Sequence, residues 1–403
     1  MYVRLSFALR VGLFLVGASV LLGQSYGSGA YYIVDFAGDR LANTPVAGAS
    51  VSIGNPTGIA TDSAGNVYIA GPAIVFKLDP SGLLTRFAGN GHNGSSGDGG
   101  AANRALLGFP RAYAFDPLDF FDVVGGLAAD SFGNVYIADF LNSVVRKVTP
   151  DGAISTVAGN GKFLSNGFGQ YGSNNGGQAT NAAFGWPSGV AADTTGAFYL
   201  TDTYETLWRV APGGIITAAI GNNCGGSSSP GVCVPYGLAT DAQGNIYVAD
   251  TANCRIQKIL PDGTSNTVTG VLSTCGYAGD GAAAALAILN DPYGVAADLT
   301  GNLYIADTYN NCIRKVTPDG NIATFAGVCS VYMGPFYPSG GYSGDGGPAT
   351  SAQLNLPHGI AVDTAGNVYI ADTENFRVRK VTPDGIITTV AGDGVFCCNG
   401  SSQ

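Results

Sequence analysis

The chain has little charge and almost none of the residues that usually carry catalysis. Lys, Arg, Asp and Glu make up 11% of its 403 residues, there are two histidines (His92 and His358), and the only glutamates are Glu205 and Glu374. So little charge leaves few solvated helical faces, and with no Lys/Arg cluster an electrostatic footprint for nucleic acid or an anionic membrane is excluded. Two histidines in different parts of the chain cannot supply a three-histidine zinc site. Beyond Val11–Leu22 there is no long apolar run, and that run of twelve residues is short for a bilayer span. Arg4 and Arg10 precede it and small residues from Gly23 to Ala30 follow, so residues 1–30 read as a signal peptide and short leader. No transmembrane span is expected after its removal, and the mature chain is expected to be extracytoplasmic: secreted, periplasmic or at the cell surface.

What is plentiful is glycine, 62 residues, together with 46% hydrophobic residues. Nearly all the acidity is aspartate, which hydrogen-bonds its own backbone in turns and is poor inside helices. This is the composition of an all-β chain that turns often and buries a great deal.

One unit recurs six times: Pro56–Ala70, Gly125–Asp139, Pro187–Asp202, Pro235–Asp250, Pro292–Asp307 and Pro357–Asp372, the last reading PHGIAVDTAGNVYIAD. Their turn aspartates, Asp62, Asp130, Asp193, Asp241, Asp298 and Asp363, lie 68, 63, 48, 57 and 65 residues apart, which implies a fixed core with variable insertions. Each unit predicts a short strand, an Asp-x-x-Gly-Asn turn, an apolar strand, a connection, a third strand such as VRKVT, a Pro-Asp-Gly turn and a fourth strand. The second strand is apolar throughout instead of alternating, so both of its faces should be covered. Six four-stranded antiparallel sheets arranged face to face about an axis satisfy this: a six-bladed β-propeller over residues 31–394, with a Cys-containing tail at 395–403.

These residues resemble NHL repeats, in the pattern P-x-G-I-A-x-D-x-x-G-N-x-Y-I-A-D-T-x-N followed by R-K-V-T-P-D-G. The GYSGDGGPATSAQLNLP variant at Gly341–Pro357 is similar to repeats of bacterial secreted NHL proteins and of teneurin ectodomains, in which the propeller is chiefly an interaction surface. The resemblance implies the fold, and a binding or scaffolding role for which the partner is an unknown protein, glycan or small-molecule ligand. Seven segments resemble a fourth strand, from Tyr32–Gly38 to Ile386–Gly392, so closure is expected through pairing of N- and C-terminal strands.

Short turns fall on one face of such a disc and everything variable on the other, where binding residues usually sit. Side chains expected to converge at the channel mouth there are Thr57, Ser188, Tyr236, Tyr293 and His358, with Gly125 or Arg111 in the second blade. An insertion at Arg111–Val124 carries Tyr113, Phe115, Asp116, Asp119, Phe120 and Phe121, residue types suited to a recognition loop. Aspartates Asp139, Asp202, Asp250, Asp307 and Asp372 end the second strands, with Gly71 in the first. Oxygen ligands of this kind suit structural calcium, but the expected reading is that each accepts backbone N–H bonds in its own hairpin. No cofactor or metal is otherwise expected. The eight cysteines all follow residue 220, and Cys254 with Cys275, Cys312 with Cys329 and Cys224 with Cys233 are the expected disulfides; Cys397 and Cys398 stay unassigned.

The alternative function is a metal-dependent hydrolase or lyase at the channel, as six-bladed relatives include a zinc lyase and metal-dependent lactonases. Glu205 and Glu374 fall in strand connections and no Gly-x-Ser-x-Gly elbow precedes His358, so no catalytic residue is assigned. The Gly341–Pro357 loop is expected to be a clasp: Asp345 for loop amides, Pro348 to start a helical turn, Ala352 and Leu354 as pegs between blades.

Overall fold

The apolar second strands are the natural starting point, because they are buried on both faces. In the computed structural model Val67–Gly71, Val135–Asp139, Phe198–Asp202, Ile246–Asp250, Leu303–Asp307 and Val368–Asp372 are buried at every residue. The structure describes residues 45–109, 125–163, 175–203, 206–220, 231–329 and 340–395, all in one compact unit. The expected signal peptide, Tyr32–Gly38, the recognition-loop residues 111–124, Glu205, Cys224, Cys397 and Cys398 lie outside them.

Each second strand is the second of four consecutive antiparallel strands in a sheet, and of the six such sheets two gain a short fifth strand, Val46–Ala47 and Ala282–Ala283. The chain is a six-bladed β-propeller, and among the described residues there is no α-helix, only short 3-10 turns. The core sits between blades, in six apolar clusters. In one of them Ile69 and Phe76 of the first blade meet Tyr369 and Val378 of the last, which closes the ring.

The Asp-x-x-Gly-Asn turn explains why the hairpins repeat so faithfully. Asp363 Oδ1 accepts the N–H groups of Ala365 and Asn367 (3.0 and 2.8 Å), while Oδ2 accepts Asn367 Nδ2 and Tyr369 Oη (2.8 and 3.2 Å). The same bonds recur at Asp62, Asp130, Asp241 and Asp298, and largely at Asp193. One carboxylate thus caps the turn and fixes the tyrosine of the following strand.

Closure joins the N- and C-terminal ends of the described chain; the expected strand Tyr32–Gly38 lies outside the described residues. The last blade keeps four consecutive strands of its own, Pro357–Val362, Val368–Asp372, Arg377–Val381 and Ile387–Ala391. The N-terminal segment Val46–Ala47 instead lies on the outer strand of the first blade, Leu83–Ala88. Gly392 N–H then donates to Gly48 O (3.0 Å), Gly48 N–H to Gly82 O (3.0 Å), and Thr373 Oγ1 to Pro56 O (2.8 Å). Each bond copies one made between blades five and six: Gly327 N–H to Ala349 O (2.9 Å), Ala349 N–H to Gly385 O (2.8 Å), and Thr308 Oγ1 to Pro357 O (2.8 Å). The ring closes with the same device that joins its internal blades.

Candidate functional site

At the axis the glycine of each Pro-x-Gly motif sets how closely the blades approach. A Cβ on Gly359 would stand 2.6 Å from Thr57 O; on Gly294, 2.2 Å from His358 O; on Gly237, 2.5 Å from Tyr293 O; on Gly189, 1.9 Å from Tyr236 O; and on Gly126, 2.6 Å from Ser188 O. Gly58 faces Gly125 O in the same way, which gives Gly125 the channel position of the second blade; Arg111 lies outside the described residues. These six glycines line a channel with about 40 Å³ of free volume, joined by Tyr293. That admits a few water molecules and is far below the several hundred Å³ of an organic ligand site.

The side chains expected at the mouth do converge, but they pack on one another. Ser188, Tyr236, Tyr293 and His358 are buried and Thr57 is half-buried. Tyr236 and Tyr293 lie 4.7 Å apart by ring centroids, and Tyr293 and His358 4.8 Å. Ser188 Oγ donates to Pro235 O (2.8 Å), and Thr57 Oγ1 accepts the N–H of Gly125 (3.1 Å). Among the described residues neither nitrogen of His358 has a hydrogen-bond partner, and burial pushes its imidazole down to about 3.

The aspartates that end the second strands are engaged partly within their own hairpins, as expected, and partly by backbone N–H groups of the preceding crossover, which was not expected. Asp372 accepts the N–H of Asn355 (2.7 Å) in the preceding crossover, Asn375 Nδ2 (2.9 Å) and Arg379 Nη1 (3.2 Å). Asp307 does the same with Asn290, Asn310 and Arg314, and Asp139 with Gly108, Asn142 and Arg146. Asp250 accepts from Cys233, Asn253, Arg255 and Gln257, and Asp202 from Gly185, Thr206 and Trp208. Burial pushes Asp307 and Asp372 up to about 6 and raises Asp139, with these donors pulling the other way. Five carboxylates held by side-chain and backbone donors anchor the crossovers.

The same arginines explain the glycine-rich loops. Arg379 Nη2 reaches Asp345 at 2.7 Å and Arg146 Nη2 reaches Asp98 at 2.6 Å, and Arg314 pairs with Asp280. Asp345 was expected to bind loop amides; its partners are instead Arg379 and the hydroxyls of Tyr342 and Thr389. Burial alone would raise this carboxyl, but those three donors together hold it below the usual range. Pro348 does precede a 3-10 turn, Ala349–Ser351, and Ala352 and Leu354 are buried pegs. Arg146, Arg314 and Arg379 were not singled out from the sequence, although a signal was present. Where the second strand of the first blade ends in Gly71, the arginine position holds Phe76, and in the third blade Trp208 stands there. A Cβ on Gly71 would meet Ile53 O at 2.7 Å and the Phe76 ring at 3.1 Å, so aspartate and arginine are lost together.

Disulfides join Cys254 to Cys275 and Cys312 to Cys329. Cys233 is also disulfide-bonded. His92 is exposed, and Glu374 accepts Asn55 Nδ2 at 3.3 Å. Exposed apolar side chains collect on the face of the variable connections: Leu141, Phe163, Val271, Val328 and Val395. On the short-turn face Phe132 and Leu299 stand at turn tips, and Leu83 and Ile215 are exposed where the outer strands begin.

Known proteins place this architecture. A family model described as the teneurin NHL domain matches residues 333–399, one described as NHL repeat matches 232–259 and 289–316, and a beta-propeller repeat model matches 44–73. Teneurin-3 of Mus musculus is 27% identical over 365 residues, covering 81% of this chain and 12% of that protein. Teneurin-4 of Homo sapiens is 31% identical over 237 residues, covering 51% of this chain and 8% of that protein. The chain thus spans about a tenth of the length of the curated relatives it matches. Among solved structures, a structural genomics protein of unknown function from Bacteroides thetaiotaomicron superposes with a TM-score of 0.55 at 21% identity, covering 84% of this chain and 72% of the other. An auxiliary nutrient binding protein from Bacteroides ovatus gives 0.55 at 15% identity, covering 86% and 74%. Both likenesses concern the fold.

Proposed function

We propose that this chain, which belongs to the NHL-repeat β-propeller family, is an extracytoplasmic binding and scaffolding module that receives its partner on the loop-rich face. One observation carries this reading: the variable connections share that face with exposed Leu141, Phe163, Val271, Val328 and Val395, while the channel among the described residues holds about 40 Å³. A rigid ring that presents adaptable loops suits recognition, because the scaffold is ordered before the partner arrives. Disulfides support an oxidising compartment, in line with the export signal expected at residues 1–30.

The test is capture from the extracellular fraction of the source organism with immobilised protein. Leu141→Asp with Val328→Asp should abolish capture of a partner that the wild type retains, and Phe132→Asp on the opposite face should not. Loss with Phe132→Asp alone would place the interaction on the wrong face. Metal analysis of the purified protein addresses the enzyme reading directly: one tightly held ion per chain that chelator removes would overturn the scaffold assignment.

A further inference from the structure

Two disulfides staple the outer hairpins of neighbouring blades, the fourth by Cys254–Cys275 and the fifth by Cys312–Cys329. In each pair one sulfur belongs to a fully buried residue, Cys254 or Cys312, while Cys275 is exposed and Cys329 half-buried. An external thiolate therefore attacks Cys275 or Cys329, and the electron pair of the broken bond leaves on Cys254 or Cys312. What differs is the charge that meets it.

Beside Cys254 stands a carboxylate. Asp291 Oδ1 lies 3.4 Å from Cys254 Sγ, and one carboxylate oxygen and the two sulfurs come within 4.8 Å of one another. A disulfide sulfur has no proton to donate, so this contact sets an anion against the atom that would become one. Asp291 is fixed in place by its left-handed backbone (φ 43°) just before Pro292, where a channel strand begins. Gly276 N–H to Leu289 O (2.9 Å) holds Cys275 opposite it. A thiolate forming on Cys254 would be both buried and next to like charge; each raises the pKa of a thiol, and a sulfur of high pKa is a poor leaving group.

The fifth blade lacks this device. Cys329 Sγ lies 3.1 Å from Thr324 Oγ1, whose proton goes to Asp280 at 2.6 Å. Cys312 stands across the strand pair from Asp307, and both of these aspartates pair with Arg314. Among the described residues no carboxylate or imidazole forms a close group with Cys312 and Cys329. Nor do the connections 221–230 and 330–339 add a charge, since neither contains Lys, Arg, His, Asp or Glu.

We propose that Asp291 guards Cys254–Cys275 against low-molecular-weight thiols and leaves Cys312–Cys329 as the disulfide they open, through a mixed disulfide at Cys329. The thiolate sulfur bonds to Cys329 Sγ, the Cys312–Cys329 bond breaks, and Cys312 leaves with the electron pair and takes a proton from water. A second thiolate then removes the first as its own disulfide, and Cys329 is left as a thiol. Cys329 follows the outer strand of the fifth blade where the chain enters a variable crossover, so the reaction releases that crossover from its hairpin.

The experiment treats the intact, oxidised protein with reduced glutathione, quenches with iodoacetamide at intervals, and locates label and mixed disulfide by peptide mass spectrometry. Cys312 and Cys329 should open about tenfold or more faster than Cys254 and Cys275, with glutathione carried on Cys329. Asp291→Asn, which tolerates the left-handed backbone, should raise the Cys254–Cys275 rate about tenfold and leave the other unchanged. In the unaltered protein, the ratio of the rate with cationic cysteamine to that with anionic mercaptoethanesulfonate should be about fivefold higher at Cys254–Cys275 than at Cys312–Cys329. Cys254–Cys275 opening first, or at an equal rate, overturns the proposal. So does an Asp291→Asn protein with unchanged circular dichroism and an unchanged Cys254–Cys275 rate, or equal rate ratios for the two charged thiols.

Discussion

Arg379 touches two carboxylates, and their surroundings predict very different costs. Asp372 is fully buried, so replacing Arg379 by Met would leave a buried carboxylate with only the Asn355 N–H and the Asn375 amide, at a cost of about 3–5 kcal/mol. The Asp345 side chain is 36% exposed, and the solvent that screens its attraction to Arg379 reduces that pair to about 0.2–1 kcal/mol. Asp345→Asn should therefore cost under about 1 kcal/mol although its contact with Arg379, at 2.7 Å, is shorter than that of Asp372, at 3.2 Å. The first blade supplies a control, because Gly71 and Phe76 occupy these two positions naturally. Asp372→Gly combined with Arg379→Phe removes the orphaned charge, and the double variant should be more stable than Arg379→Phe alone by about 1–2 kcal/mol. Urea denaturation followed by the fluorescence of Trp186 and Trp208 measures all four proteins. An Asp345→Asn loss as large as that of Arg379→Met, or fully additive losses in the double variant, would refute the reasoning.

Two further outcomes follow from the channel. Folded His358 binds no proton until about pH 3, whereas the unfolded chain binds one near 6.5; stability is therefore lost as pH falls below 6.5, by about 2 kcal/mol at pH 5. His358→Phe removes that loss while Asp307 and Asp372 titrate alike in both proteins, so the difference between the two denaturation curves, measured from pH 8 to 5, isolates it; parallel curves would show a histidine that protonates in place. Gly359→Ala puts a methyl 2.6 Å from Thr57 O and should lower stability by about 1–3 kcal/mol in thermal unfolding, whereas Gly82→Ser, at a turn with open space about it, should cost no more than its positive φ demands.

The repeat made the blades legible, because PHGIAVDTAGNVYIAD contains its own turn, its own cap and a strand buried on both sides. The two disulfides were legible as well, since Cys254 and Cys275, and Cys312 and Cys329, flank the open ends of single hairpins. The clasp was legible as a clasp but not in its chemistry. Asp345 looked like a loop residue because Arg379 lies 34 positions away, and only the return of the third strand beneath the crossover brings them together. The backbone detail of the closure was not legible for a related reason. Val46–Ser50 shares no glycine-rich signature with Gly341–Pro357, yet it makes the same backbone bonds, and backbone bonds leave little trace in side-chain identity.

The clasps also determine how strongly neighbouring blades depend on one another. Ala349 accepts a bond from the blade before it, at Gly327, and donates one to the blade after it, at Gly385, so a single residue joins the backbones of two sheets. In a ring where each repeat contacts only its neighbours, such units set the coupling between repeats, and a blade without one opens more easily. The fourth blade, whose outer edge carries no clasp among the described residues, stands where Cys233, Cys254–Cys275 and Cys312–Cys329 place covalent links in and beside it. A disulfide restricts the opened chain to conformations that keep its two ends together. The cross-links thus limit how far the fourth blade can open from the ring.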